Sequence, residues 1–92
     1  MSNPALRRRD TSRKVIDLAI GILVGQRGCS PDAAFAELVR VVKDTGIGIG
    51  SLAGALVALA TGTSGSSAED IEAFNAWGEL LRRSRLTPVA SS

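Results

Sequence analysis

Apolar residues recur at intervals of three and four along most of the chain, the spacing of one face of an α-helix. This pattern predicts a first helix from about Thr11 or Ser12 to Gln26. Its predicted core face comprises Val15, Ile16, Leu18, Ala19, Ile22 and Leu23. The opposite, solvent-facing side is predicted to carry Arg13, Asp17, Ile20, Gly21 and Val24. Ile20 and Val24 lie one turn apart, so they predict an apolar strip on the outer face that needs a protein partner.

The second helix has the clearest start in the sequence. Ser30 is a favourable N-cap and Pro31 suits the first helical position. Gly28 is predicted to end the first helix and Gly46 the second, because glycine readily adopts the left-handed conformation of a C-cap. The predicted apolar face of the second helix comprises Phe35, Leu38, Val39 and Val42.

Two further helices complete the prediction. The third begins near Ser51 and ends before Gly62, and residues 61–67, TGTSGSS, have the composition of a flexible linker. Ser66 and Glu69 have the spacing of a capping box, which opens a fourth helix that runs to about Arg83. Its apolar face is predicted to contain Ile71, Phe74, Gly78 and Leu81, with Trp77 beside it.

The predicted organisation is therefore all-α, a small three-helix bundle followed by a fourth helix. It divides the chain into a flexible basic segment (1–10), a three-helix domain (11–61), a linker (62–67), a C-terminal helix (68–84) and a tail (85–92). Aromatic residues make up only 3 % of the 92 residues, so the core must be built from aliphatic side chains, which favours helices. The single cysteine, Cys29, excludes an internal disulfide and fits a reducing compartment.

The first helix also resembles a signal peptide, because an apolar run follows a basic start. Asp17 interrupts the run, no small-residue cleavage site follows it, and it is too short to span a bilayer. The expectation is therefore a cytoplasmic protein that does not enter the membrane.

The charge is distributed unevenly although the net charge is only +2. Residues 1–14 carry a net charge of +4, residues 15–81 carry −5, and Arg82, Arg83 and Arg85 add +3. A nucleic-acid-binding surface should then lie on the basic flanks. The alternative interpretation of the run RRRDTSRK is a solvated charged segment without a ligand.

The composition argues against catalysis. The chain has no histidine, no tyrosine and one cysteine, so the usual nucleophile–base pairs and metal sites cannot be assembled, and no cofactor or metal is expected. GIGSLA, residues 48–53, matches a dinucleotide-binding pattern, with Glu69 19 residues beyond Gly50. The preceding VRVV lies inside the predicted second helix rather than in a strand, so these glycines are predicted to form a turn between helices.

The stretch from Arg13 to about Val57 resembles the ANTAR domain, an RNA-binding antitermination module of bacterial transcription regulators. The family run close to A-K-G-I-L-M stands here as AIGILV, residues 19–24. The family motif A-F-x-x-L is matched by Ala34, Phe35 and Leu38, and a hydrophobic–Ala pair in the third helix by Leu52 and Ala53. The resemblance covers about half of the chain.

This resemblance implies a three-helix bundle, often dimeric, that binds paired RNA hairpins in a leader transcript and prevents a terminator from forming. Such modules usually follow a receiver or GAF sensor domain, so this chain is expected to be a standalone version controlled by a separate sensor protein. It departs from the family at four positions, where Ile20 replaces Lys, Val24 replaces Met, Val39 replaces Arg and Val42 replaces Ala. The change at position 20 replaces a phosphate-pairing cation with an aliphatic surface.

Two functions follow from these observations. In the first, the chain is an RNA-binding antitermination regulator that contacts RNA through Arg7, Arg8, Arg9, Arg13, Lys14 and Arg40. In the second, it is a degenerate ANTAR-like interaction or dimerisation module without RNA binding, whose interface contains Ile20, Val24, Phe74 and Trp77. The strip formed by Ile20 and Val24 would be covered by a second copy, by the fourth helix or by another protein. Helix-turn-helix DNA binding is disfavoured, because GSLAGALVALA has no side chain that reads a base edge.

Overall fold

The computed structural model describes the backbone of residues 4–86 and the side chains of residues 13–83. Within this range the chain forms helices and no strand, which confirms the all-α prediction. The helices are α1 (Pro4–Arg27), α2 (Pro31–Thr45), α3 (Ile49–Thr61) and α4 (Ala68–Leu86). The start predicted at Thr11 or Ser12 is wrong, because α1 begins at Pro4 and includes the basic run. Residues 1–3 and the tail from residue 87 lie outside the described residues.

The ends of α2 lie where the sequence predicted them. The Ser30 hydroxyl accepts a hydrogen bond from the Ala33 amide at 3.1 Å, and Pro31 occupies the first helical position. Gly46 adopts the left-handed conformation with φ +76°, and its amide donates to the Val42 carbonyl at 2.8 Å. The run VRVV lies within α2 and is helical, so the dinucleotide-binding interpretation is wrong.

The N-cap of α4 lies one residue later than predicted. Ser67, rather than Ser66, caps the helix, because its hydroxyl accepts from the Asp70 amide at 3.3 Å. Asp70 reciprocates, since its Oδ2 accepts from the Ser67 hydroxyl at 2.7 Å and from the amides of Ser67 and Gly65. These bonds, chiefly the one from the Ser67 hydroxyl, hold the pKa of Asp70 below its usual value, against a smaller opposite effect of burial. The capping box is therefore the pair Ser67 and Asp70.

Helix α3 lies at the centre of the bundle. It packs against α1 and against α4, with a smaller contact to α2. A helix in contact with neighbours on several sides must be apolar around most of its circumference, and α3 contains no charged residue. The core is formed by Ala19, Leu23, Ala34, Leu38, Leu52, Ala53, Ala55, Leu56, Ala73, Trp77 and Leu81. Leucine and alanine dominate it, as expected for a chain with few aromatic residues.

The outward faces of α1 and α2 differ from the prediction. Leu18, predicted to lie in the core, is 57 % exposed, whereas Ile20 and Val24 are half-buried and pack against the core. The buried side of α1 is centred on Ala19 and Leu23, and Leu18 lies away from that centre on the helix surface. The predicted apolar strip of Ile20 and Val24 on the outer face is therefore wrong.

Phe35 of α2, also predicted in the core, is exposed, and the buried residues of this helix are Ala34 and Leu38.

No single described helix is long and apolar enough to cross a membrane. Helices α2 and α3 reach that criterion only as a pair, with a bend of 112° between them.

Candidate nucleic-acid interface

Exposed basic side chains lie on two helices of the bundle. Arg13 and Lys14 lie exposed on α1, and Arg40 and Lys43 lie exposed on α2. None of these four forms an ion pair with another residue in the part of the chain whose side chains are described. Because an unpaired, exposed cation is available to a phosphate, α1 and α2 present the cations best suited to nucleic-acid contact.

The other described arginines are paired within the chain. Arg27 binds Glu37, with its Nε at 2.8 Å from Oε1. Arg82 binds Glu79 at 3.0 Å, and Arg83 lies 3.8 Å from the same carboxylate. Arg82 and Arg83, which belong to the C-terminal basic flank, are therefore partly neutralised by a carboxylate of their own helix.

Among the residues whose side chains are described, Asp17 is the acidic residue nearest in sequence to Arg13 and Lys14. It is exposed and lies one helical turn after Arg13 and Lys14, yet it forms no ion pair with either. Its charge lowers the positive potential of this part of α1 without occupying the two cations.

The remaining candidate RNA contacts precede Arg13 on the same helix. The backbone of Arg7, Arg8 and Arg9 lies in α1, and their side chains lie outside the described residues. A helix rises 1.5 Å per residue, so the backbone of Arg7 lies about 10 Å along the axis from that of Lys14. The helical backbone thus carries this basic run as a continuation of the segment that presents Arg13 and Lys14.

The four residues predicted to form a protein–protein interface do not form one exposed surface in the structure. Ile20 and Val24 pack against the core of this chain, and Trp77 is fully buried on the side of α4 that faces the bundle. Phe74 is 60 % exposed on another side of α4. The fourth helix does fold back, as one alternative had it, but it packs chiefly on α3 and touches α1 only slightly.

A partly buried hydrogen-bonded junction was missed by the sequence analysis. The Glu37 carboxylate of α2, 13 % exposed, accepts two bonds from Nε of Arg27 at 2.8 and 3.0 Å and one from Nε1 of Trp77 at 2.8 Å. It thereby joins the end of α1, the middle of α2 and α4. A lone tryptophan in an aromatic-poor core signals that its indole N–H needs an acceptor, but the sequence does not indicate which one.

The described residues provide little for catalysis or metal binding. Among them, no group of three or more histidine, cysteine, aspartate or glutamate side chains is placed to hold a metal ion. Cys29 is a free, half-buried thiol whose Sγ lies 3.9 Å from the Leu23 carbonyl oxygen.

Comparison with known proteins identifies one family. A family model described as the ANTAR domain matches residues 5–57, which is more than half of the chain. The match covers α1, α2 and most of α3, and it ends before α4. No curated protein matches the chain, and no solved structure matches it.

Proposed function

Because the chain belongs to the ANTAR domain family, we propose that it binds RNA hairpins and regulates transcription by antitermination. The observation that carries the proposal is the set of exposed cations on α1 and α2 that have no acidic partner among the described side chains, chiefly Arg13, Lys14 and Arg40. These are three of the positions selected from the sequence. These cations lie on helices within the matched region, whereas the paired arginines of α4 lie beyond it.

The proposed mechanism is electrostatic positioning. Arginine and lysine side chains contact the phosphate backbone, which sets the orientation of the protein but carries no sequence information. Selectivity for hairpins then comes from the shape of the RNA, because the deep major groove of an A-form helix is closed to side chains. We further propose that the chain acts in the cytoplasm of a bacterium and that a separate sensor protein controls it.

The test is a titration of the purified protein with a tandem-hairpin RNA and with a scrambled control, across a series of salt concentrations. Arg40→Gln removes one unpaired cation, and Arg82→Gln, the matched control, removes one already bound to Glu79. We expect Arg40→Gln to reduce the slope of log affinity against log salt by about 0.7–0.9, the contribution of one phosphate contact. Arg82→Gln should leave the slope unchanged. Equal effects of the two variants, or equal binding of both RNAs, would contradict the proposal.

A second candidate function, a protein-interaction module without RNA binding, is favoured by Ile20. At this position the family resemblance leads one to expect lysine, and Ile20 is half-buried against the core. The same titration separates the two functions through Ile20→Lys, since a lysine stem can pack along an apolar surface while its ammonium group reaches water. Tighter hairpin binding by Ile20→Lys supports the RNA-binding function. If neither the wild-type protein nor the Ile20→Lys variant binds the hairpins, the result would support the interaction module instead.

A further inference from the structure

Arg27 binds its carboxylate partner through only one side-chain nitrogen atom. Its Nε donates to Oε1 and Oε2 of Glu37, at 2.8 and 3.0 Å. A guanidinium group carries further N–H donors on its two Nη atoms, in a planar fork. Neither Nη atom of Arg27 has an acceptor in the part of the chain that the structure describes. Because the Arg27 side chain is 41 % exposed, these donors are available to a ligand in solution.

The salt bridge of Arg82 on α4 has a different geometry. There Nη2 donates to Oε1 of Glu79 at 3.0 Å, so the partner occupies the fork itself. Both side chains of that pair are about two-thirds exposed, whereas the Glu37 side chain is 13 % exposed. The two salt bridges therefore differ in what they leave free, and only Arg27 keeps both Nη atoms open.

Glu37 holds the guanidinium group of Arg27 from a protected position. Its Oε2 also accepts from Nε1 of Trp77 at 2.8 Å, and Trp77 is fully buried in the core. Hydrogen bonds to a charged group are shorter and stronger than those between neutral groups. The orientation of Arg27 is therefore set, through Glu37, by a buried side chain of α4.

The surroundings of this junction favour an anion as the ligand. Arg40 follows Glu37 by three residues on α2, and residues at this spacing are neighbours on a helix surface. Arg27, Glu37 and Arg40 together carry a net charge of +1, and the Glu37 oxygens are already bonded to protein donors. Further along α2, the charges of Lys43 and Asp44 cancel. Guanidinium groups bind phosphate in a bidentate manner, so a phosphate suits this arrangement.

We propose that Arg27 binds a phosphate of the RNA through its two Nη atoms while its Nε stays bonded to Glu37. Glu37 and Trp77 are then positioning residues that do not touch the RNA. Through them α4, which lies beyond the family match, takes part in RNA binding by fixing a guanidinium group of the matched region. This role rests on the proposed RNA binding, to which it adds a contact and the residues that hold it in place.

The hairpin titration across salt concentrations tests the contact. Arg27→Gln should reduce the slope of log affinity against log salt by about 0.7–0.9, the contribution of one phosphate. Arg82→Gln is the matched control, because Arg82 also pairs with a glutamate but through its Nη2, and it should leave the slope unchanged. Circular dichroism and the melting temperature show whether each variant is folded. If Arg27→Gln is not, Arg27→Lys keeps a charged partner for Glu37 and should bind about threefold more weakly, because an ammonium group has no fork.

Glu37→Gln separates positioning from simple electrostatics by the sign of its effect. It removes a negative charge near the RNA, so a charge effect alone would tighten binding. Loss of positioning weakens binding, because Arg27 must then be ordered by the RNA, and we expect an affinity about threefold lower. Trp77→Phe keeps an aromatic ring in the core and removes only the N–H, so it should weaken binding in the same direction by a smaller factor.

The outcomes distinguish the role of Arg27 from the proposed function itself. A wild-type protein that binds hairpin and scrambled RNA equally contradicts both. A preference for hairpins with a reduced slope in Arg40→Gln, but not in Arg27→Gln, keeps the proposed function and overturns the role of Arg27. Tighter binding by Glu37→Gln overturns positioning by this carboxylate, and unchanged binding by Trp77→Phe overturns the part of α4. Reduced slopes in both arginine variants, with weaker binding by Glu37→Gln and Trp77→Phe, support the proposal.

Discussion

The Glu37 side chain joins three helices of this bundle. Its carboxylate accepts hydrogen bonds from Arg27 at the end of α1 and from Trp77 on α4. A carboxylate shielded from water is stable only when its oxygens are bonded, and both Glu37 oxygens are. The bond to Arg27 also ties the end of α1 to α2. The two helices that carry the unpaired cations are thus held to each other by this residue.

Replacing Glu37 should separate the contribution of the charge from that of the acceptor. Glu37→Leu leaves the Trp77 indole N–H buried without a partner and should lower the free energy of unfolding by about 1–3 kcal/mol. Glu37→Gln keeps an amide oxygen for Trp77 and loses only the pairing with Arg27, so its cost should be smaller. Urea unfolding followed by the fluorescence of Trp77, the only tryptophan, measures both. Equal costs for the two variants would show that the indole bond contributes nothing.

Helices α2 and α4 each begin at a serine whose hydroxyl accepts a hydrogen bond from an amide of the first turn. Ser67 and Asp70 cap α4, while Thr63 closes the end of α3 through its amide, which donates to the Ala58 carbonyl at 2.8 Å. The segment predicted as a flexible linker from its composition is therefore hydrogen-bonded at both ends. Asp70 also accepts from the Gly65 amide at 3.2 Å, so the loop and the helix share one cap.

This cap should make the stability of α4 depend on pH. The pKa of Asp70 is lowered in the folded chain, so its carboxylate stabilises the fold above its ordinary pKa of 3.8 and loses that effect as the pH falls through the lowered value. Asp70→Ala should therefore lower the melting temperature near pH 7 and converge with the wild type in strong acid. Ser67→Ala should cost about 1 kcal/mol, the usual value of a lost N-cap. Thermal melts at several pH values measure both effects.

Glu69→Ala is the control for this cap, since Glu69 lies in the same first turn and forms none of the capping bonds. It should change the melting temperature less than Asp70→Ala does. A pH profile that is the same for the two variants would contradict the assignment of the cap to Asp70.

The ends of the helices were predictable from the sequence where a single residue, such as a capping serine or glycine, determines them. Ser30, Gly28 and Gly46 mark helix ends through their own backbone preferences, and the structure places those ends accordingly. The start of α1 was not predictable in the same way, because the basic run before Ser12 has no apolar periodicity. The cap of α4 was predicted at Ser66, and the structure places it at Ser67.

The face of a helix was harder to predict than its ends. Most residues between Val15 and Val24 are apolar, so the sequence does not define which side of α1 is buried. Leu18 was predicted in the core and Ile20 at the surface, but the structure exposes Leu18 and packs Ile20 against the core. The exposure of Arg13, Lys14 and Arg40 agrees with their charge. The pairing of Glu37 with Trp77 spans 40 residues, and no local pattern could reveal it.

At the scale of the whole molecule, the family match and the folded unit have different ends. The match ends at residue 57, yet the core continues through Ala73, Trp77 and Leu81 of α4. Helix α3 explains the difference, because it is apolar on the side that faces α4 as well as on the side that faces α1. Without α4 that second side would be exposed to water. The fourth helix is therefore part of the core of this chain.

Two aromatic residues of α4 test this conclusion, because they lie on the same helix and differ in burial. Trp77 is 0 % exposed and Phe74 is 60 % exposed. Trp77→Ala should lower the free energy of unfolding by about 3–5 kcal/mol, a large part of the total for a domain of this size. Phe74→Ala should cost much less, because more than half of its side chain is already exposed in the folded chain. Thermal melts followed by circular dichroism compare them, and a small effect of both would mean that the first three helices fold without α4.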